Sequence, residues 1–169
     1  LFQNGKLCSC GKTGCLETET SLLEVIEKAK QGLSKGRVST LKFDGKENVE
    51  QANEKLSQAA QNGDQFAVEL FSETAYNIGR GVAILIHLLN PEIIVISGRG
   101  STAGFVLQPP IQRAMNDHCI PRLAANTTIE ISNLGHDAEL IGAACLVMEN
   151  FEKLSLRDMK PMIESAERN

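Results

Sequence analysis

Apolar residues recur at helical spacing along most of the chain. Leu22, Leu23, Ile26 and Ala29 share one face behind Ser21, and Glu24 stands three residues after Ser21. That is a capping box opening a helix, with Gly36 as its stop. A second helix is predicted from about Val49 to Asn62, with Ala52, Leu56, Ala59 and Ala60 inward and Gly63 after it. Asp64 then caps a long helix, about 64–89, whose apolar positions run from Phe66 to Leu89. It would be roughly 37 Å long at the usual rise. Gly79 and Gly81 lie inside it, at about 1 kcal/mol each unless a neighbour packs closely there. Asn90-Pro91 stops it. Pro109-Pro110 starts a further helix carrying Ile111, Ala114 and Met115. Asp137 caps the last one, Ala138 to about Asn150, with Leu140, Ile141, Ala144, Cys145 and Met148 apolar.

Two stretches have a different texture. Glu92 to Ser97 and Thr127 to Ser132 are rich in β-branched residues and suit buried strands. The order strand, helix, strand, helix over 92–150 is a right-handed βαβ unit followed by a helix. Two strands are too few for a stable open sheet among so many helices. Partners are expected from upstream chain, from another subunit, or from Leu1 to Leu7 and Arg37 to Phe43. The polar tail, 151–169, is expected to be peripheral.

Composition narrows the class. At 169 residues, 42% apolar and 22% charged, the chain is an ordinary globular domain rather than a disordered one. Tryptophan is absent and aromatics are 4%, so the core must be aliphatic. The net charge of -4 argues against a nucleic-acid surface on this segment. No apolar run is long enough for a bilayer, no secretory signal is visible, and a cytoplasmic protein is expected. The chain opens on Leu1-Phe2, so a piece of a longer protein is the expectation.

The cysteines bring the first chemistry. Cys8, Cys10 and Cys15 lie within eight residues, with Gly11 and Gly14 between them. An odd total of five, uneven spacing and no visible secretory signal argue against a disulfide framework. Clustered thiols with interleaved glycines resemble metal ligands, and zinc suits thiolates best. A reduced, metal-free loop is the alternative. A structural zinc site needs a fourth ligand. His87, His118 and His136 are set aside for it because they lie far along the chain. Cys119 and Cys145, in apolar surroundings, are read as buried small hydrophobes.

Gly98-Arg99-Gly100-Ser101-Thr102-Ala103 matches a dinucleotide fingerprint between strand and helix. That fold predicts an acidic residue after the next strand, which ends Ile131-Ser132-Asn133 without one. Two readings stay open: a turn that approaches a phosphate or nucleoside, and a tight turn with no ligand. Asn126-Thr127-Thr128 is a chance glycosylation pattern. Asp137 and Glu139 are helix-start acids rather than a catalytic pair.

Cys8-Ser-Cys10-Gly-Lys-Thr-Gly-Cys15-Leu-Glu17 resembles the zinc-loop signature of the ROK family (repressors, open reading frames and sugar kinases). Leu89-Asn-Pro-Glu-Ile-Ile-Val-Ile-Ser-Gly98 resembles its strand and adenosine-side turn, and Asp137-Ala-Glu-Leu-Ile-Gly-Ala-Ala144 its closing helix. The resemblance implies an α/β chain, the helix-rich C-terminal lobe (1–150) of an actin/hexokinase-like, ribonuclease H-like two-lobed fold, with an incomplete sheet. It implies zinc on Cys8, Cys10 and Cys15 in a loop spanning 7–17. The fourth ligand would be a histidine just upstream of Leu1. It implies a sugar contact at Glu17 and a nucleotide-side turn at Gly98, Arg99 and Gly100.

Family kinases usually carry a second glycine where this chain has Ser97 or Arg99. The expected function is therefore a NagC/XylR-like sugar-responsive regulator, seen here as its effector-binding and oligomerisation lobe with no catalytic residue of its own. The alternative is an ATP-dependent, glucokinase-like sugar kinase. The expected partners are a sugar or sugar phosphate, DNA through an N-terminal domain absent from this chain, and further copies in a homo-oligomer. No membrane is expected.

Overall fold

The computed structural model describes residues 1–150, so the predicted tail lies outside the described residues. The chain divides into two units at Gly135. The first unit holds helices α1 (Leu16–Thr20), α2 (Leu22–Ser34), α3 (Val49–Gln61), α4 (Gln65–Leu89), α5 (Gln108–His118) and α6 (Pro121–Ala124), with strands β1 (Ile93–Ile96) and β2 (Thr128–Ile131). A 3₁₀ segment, Arg99–Val106, leaves β1 and kinks at Gly104, where φ is 62° and ψ is -131°. The second unit carries α7 (Ala138–Asn150), with the bounds that the apolar spacing predicts. Cys145 is exposed on α7, against the expectation of burial, whereas Cys119 is buried.

Helix starts are set by the predicted caps. Ser21 Oγ accepts from the Glu24 N–H, and Asp64 accepts from the Ala67 N–H. Asn48 and Gln51 form a full reciprocal capping box on α3, which the sequence reading did not include. At Ser21 the carboxylate of Glu24 turns instead to Lys6.

The core of the first unit gathers around α4. Leu56 of α3, Ile86 of α4 and Ile111 and Met115 of α5 are its largest fully buried side chains. The in-helix glycines of α4 now have a cause. A Cβ at Gly79 would lie 2.6 Å from Ala114 Cβ and 2.9 Å from the Ile111 carbonyl oxygen. At Gly81 it would lie 2.8 Å from Leu16 Cδ2. Both glycines let another helix approach α4, α5 at one and α1 at the other.

Among the described residues the sheet is two-stranded and parallel, with Ile93 opposite Thr128 and Ile96 opposite Ile131. Leu1 to Leu7 and Arg37 to Phe43 do not extend it. Leu7 bridges Thr13 within the cysteine loop. Ser39 and Thr40 are instead held by Asp64. Its carboxylate accepts from both hydroxyls and from the Thr40 N–H at 2.6–3.0 Å, besides capping α4. Three donors of Ser39 and Thr40 are thus bound to one carboxylate, and the segment pairs with Asp64 rather than with a strand.

Downstream, Glu47 Oε1 accepts from Lys55 Nζ and from the Asp44 N–H, both at 2.6 Å, while its Oε2 is buried without a hydrogen-bond partner. The Lys55 ammonium, then the Asp44 amide, hold the Glu47 carboxyl down at about 2, against an ordinary 4.5. A depressed carboxyl stabilises the fold fully above its ordinary value and progressively less as pH falls towards 2. Urea midpoints are therefore expected to fall less between about pH 6 and pH 3 in Glu47→Gln than in the parent protein. Parallel losses in the two proteins would refute this.

Candidate functional site

The cysteine loop folds back on itself through short-range backbone bonds. The Cys8 N–H donates to Lys12 O at 2.8 Å, the Gly11 N–H to Cys8 O at 2.9 Å and the Gly14 N–H to Lys6 O at 3.1 Å. Gly14 has φ of 71°, and a Cβ there would sit 1.8 Å from Phe2 O, so only glycine fits. This fold-back gathers the Sγ atoms of Cys8, Cys10 and Cys15 within 4.8 Å of one another. Cys10 and Cys15 are 3.5 Å apart.

The donor set fits zinc. Thiolates at the usual bond length on a tetrahedron stand about 3.8 Å apart, so small shifts would seat an ion on all three. Cys8 is buried, Cys15 half-buried and Cys10 exposed. The backbone N–H and the thiol of Cys10 hold the Cys8 thiol below its ordinary value. Cys15 is pushed up to about 11, first by its hydrogen bond to Cys10 and then by that to Cys8, which favour the protonated form. Two histidines set aside above are engaged elsewhere. His87 Nε2 accepts from the Ile120 N–H at 3.2 Å, and His118 Nε2 lies 3.1 Å from the Tyr76 hydroxyl. Among the described residues the cluster is three cysteines.

Charged side chains fasten this loop to the helices. Lys6 Nζ lies 2.5 Å from Glu24 Oε2, and the Lys6 N–H donates to Glu19 Oε1 at 3.0 Å. Glu24 is itself buried, and Lys28 beside it pairs with Glu73 of α4 at 2.7 Å. Glu17 stands in the first turn of α1, exposed, with Oε2 3.9 Å from Cys8 Sγ. The structure thus brings the exposed Glu17 and the three cysteines together.

Gly98, Arg99 and Gly100 form the turn that leaves β1. Gly98 has φ of 95°, which favours glycine, and both the Ser101 N–H and hydroxyl donate to its carbonyl, at 3.0 and 2.8 Å. Space beyond Gly98 and Gly100 is open. The Arg99 guanidinium turns towards α3, 3.8 Å from Glu50 Oε1. A cavity of about 210 Å³ adjoins the turn, lined by Thr20, Val25, Phe71, Thr74, Gly100 and Ser101 among others. It reaches from the end of α1 to the turn.

The sequence reading missed the residues that hold this turn. Asn53 Nδ2 donates to Arg99 O at 3.0 Å and to Thr102 Oγ1 at 3.1 Å. Ser57 Oγ meets the same hydroxyl at 3.1 Å, and Gln61 Nε2 donates to Thr102 O at 2.6 Å. Their spacing of four on a helix would have flagged a polar stripe among the inward positions of α3.

Among the described residues no helix is long and apolar enough to cross a membrane. The glucokinase of Halalkalibacterium halodurans is 38% identical over 148 residues, covering 87% of this chain and 44% of that protein. The xylose repressor of Caldicellulosiruptor bescii is 32% identical over 149 residues, covering 85% of this chain and 36% of that protein. The chain therefore spans less than half the length of these relatives. Among solved structures, a ROK family glucokinase from Streptomyces griseus in complex with glucose and AMPPNP superposes with a TM-score of 0.69. It is 29% identical and is matched over 85% of this chain and 47% of that one. The helix-rich α/β architecture with its small incomplete sheet is that of these proteins, an actin/hexokinase-like fold. The ROK family model matches residues 1–150, and by that match the chain belongs to the ROK family.

Proposed function

We propose that this chain is the effector-binding lobe of a sugar-responsive, NagC/XylR-like transcriptional regulator, acting in the cytoplasm as a homo-oligomer. The observation that carries this reading is the turn after β1. Family kinases usually have a second glycine where this chain has Ser97 or Arg99, and here the Arg99 guanidinium is drawn to Glu50.

In this reading Glu17 accepts hydrogen bonds from adjacent sugar hydroxyls, as a carboxylate does well. Cys8, Cys10 and Cys15 would hold zinc, with a histidine from outside this chain as fourth ligand. The ion would serve structurally, by fixing the loop that carries Glu17. Lys6, Glu24 and Glu19 brace the loop from the protein side. Sugar binds one arrangement of the lobes better than another and so shifts their populations, and DNA affinity changes through an N-terminal domain. A tenfold change in DNA affinity needs about 1.4 kcal/mol of such preference.

The second reading is an ATP-dependent sugar kinase. It is supported by the glucokinase relatives and by the open space beyond Gly98 and Gly100. There Glu17 would position the acceptor sugar and the turn would receive adenosine. One experiment separates the two. The full-length protein is mixed with ATP and a panel of hexoses and ADP release is measured. Its binding to promoter DNA is measured in parallel with the same sugars. A regulator is expected to show sugar-dependent DNA binding without turnover. Robust hexose-dependent ADP release would overturn the regulator reading.

A further inference from the structure

Cys10 and Cys15 are a ready-made pair for oxidation as well as for metal. Their Sγ atoms are 3.5 Å apart, closer than any other contact recorded between cysteine sulfurs in the described chain. Cys10 is exposed and Cys15 half-buried, so an oxidant reaches them from solvent, whereas Cys8 is buried. Gly11, Lys12, Thr13 and Gly14 join the two cysteines, and the glycines at both ends of this segment have positive φ, so the chain turns back on itself and brings the two sulfurs to one side. The gap to a covalent S–S bond of about 2.0 Å is roughly 1.5 Å, within reach of side-chain rotation. Cys119 and Cys145 lie far along the sequence, and Cys119 is buried against Ala83.

We propose that Cys10 and Cys15 form a redox-modification site, closing to a disulfide with peroxide as oxidant when the loop holds no metal. Cys10 sulfur attacks one peroxide oxygen, breaking the O–O bond, and becomes a sulfenic acid while the other oxygen leaves as water. Cys15 sulfur then displaces the sulfenic hydroxyl as a second water. Two thiols and one hydrogen peroxide thus become one disulfide and two waters, the sulfurs losing two electrons and the peroxide gaining them. The disulfide consumes two of the three sulfurs of the metal cluster, so metal and disulfide exclude each other. The proposal shares its residues with the zinc reading but does not require it.

The test uses full-length protein, stripped with a chelator, treated with hydrogen peroxide and quenched by alkylation. Trypsin cuts after Lys6, Lys12 and Lys28, so Cys8 and Cys10 fall on the peptide 7–12 and Cys15 on 13–28. Non-reducing mass spectrometry should find these two peptides joined through Cys10, with Cys8 alkylated, and a thiol reductant should separate them. Zinc uptake by the stripped protein should be lost on oxidation and regained on reduction. Cys10→Ser should show no joined peptides, and Cys119→Ser should leave them unchanged. Sulfinic acid without joined peptides, a link through Cys8, or full zinc uptake by oxidised protein would each overturn the proposal. The zinc reading has its own readout, about one zinc per chain in untreated full-length protein. Joined peptides from a protein purified without metal would sink that reading and leave this one standing.

Discussion

Glu17→Gln is expected to weaken sugar binding by about 10- to 100-fold while leaving the fold and the metal content of the full-length protein unchanged. A hydrogen bond to a charged acceptor contributes about 1.5–3 kcal/mol, and each 1.4 kcal/mol is a factor of ten. The amide keeps the shape of the carboxylate but halves its acceptors and places a donor against sugar hydroxyls. Stability should hold because Glu17 is exposed, on a five-residue helix. Calorimetric titration with glucose and its 2-acetamido analogue, beside a thermal melt, reads both quantities. Unchanged affinity for every sugar that binds the parent protein would remove Glu17 from the site. The prediction holds under either reading of the whole protein, since both place a sugar at this carboxylate.

At the α4–α5 crossing, Gly79→Ala is expected to destabilise the lobe by about 1–3 kcal/mol, the usual range for an overpacked core. Helix propensity pulls the other way, favouring alanine by about 0.8–1.0 kcal/mol in a helix interior. Packing wins because of what the new methyl would meet. It would lie 2.6 Å from Ala114 Cβ and 2.9 Å from the Ile111 carbonyl oxygen, and a backbone oxygen cannot rotate away. The helices must separate, loosening Ile111, Ala114 and Met115, all fully buried. Urea unfolding measures the difference directly. A midpoint equal to the parent's or higher would show that the two helices yield at this crossing without cost.

Where hydrophobic spacing and capping agreed, the sequence was legible. The 25 residues of α4 follow from Asp64 as cap, an unbroken apolar face and Asn90-Pro91 as stop. The three cysteines and Glu17 were legible because the chain brings them together within ten residues. What could not be read depends on long separations. Lys6 and Glu24 are 18 apart, Asn53 and Thr102 49 apart, and no local pattern announces either bond. The sheet partners sought in Arg37 to Phe43 are absent because Asp64 binds that segment from 24 residues away. α1 and α6 were missed because five and four residues are too few to show a period.

The loop that Asp64 and Lys55 tie down also says where the chain could be opened by an engineer. Ser39 and Thr40 are bound to Asp64, and Asp44 and Glu47 to Lys55. Between the second pair, Gly45 has φ of 75° and open space around it. Extra residues placed after Gly45 would lengthen a span anchored at both ends, at about 0.6 kcal/mol for each doubling of its length. The anchors, not the tip, carry the order of this region. A fluorophore peptide or affinity tag inserted there would ride on the surface while the cysteine loop and the Gly98 turn kept their supports.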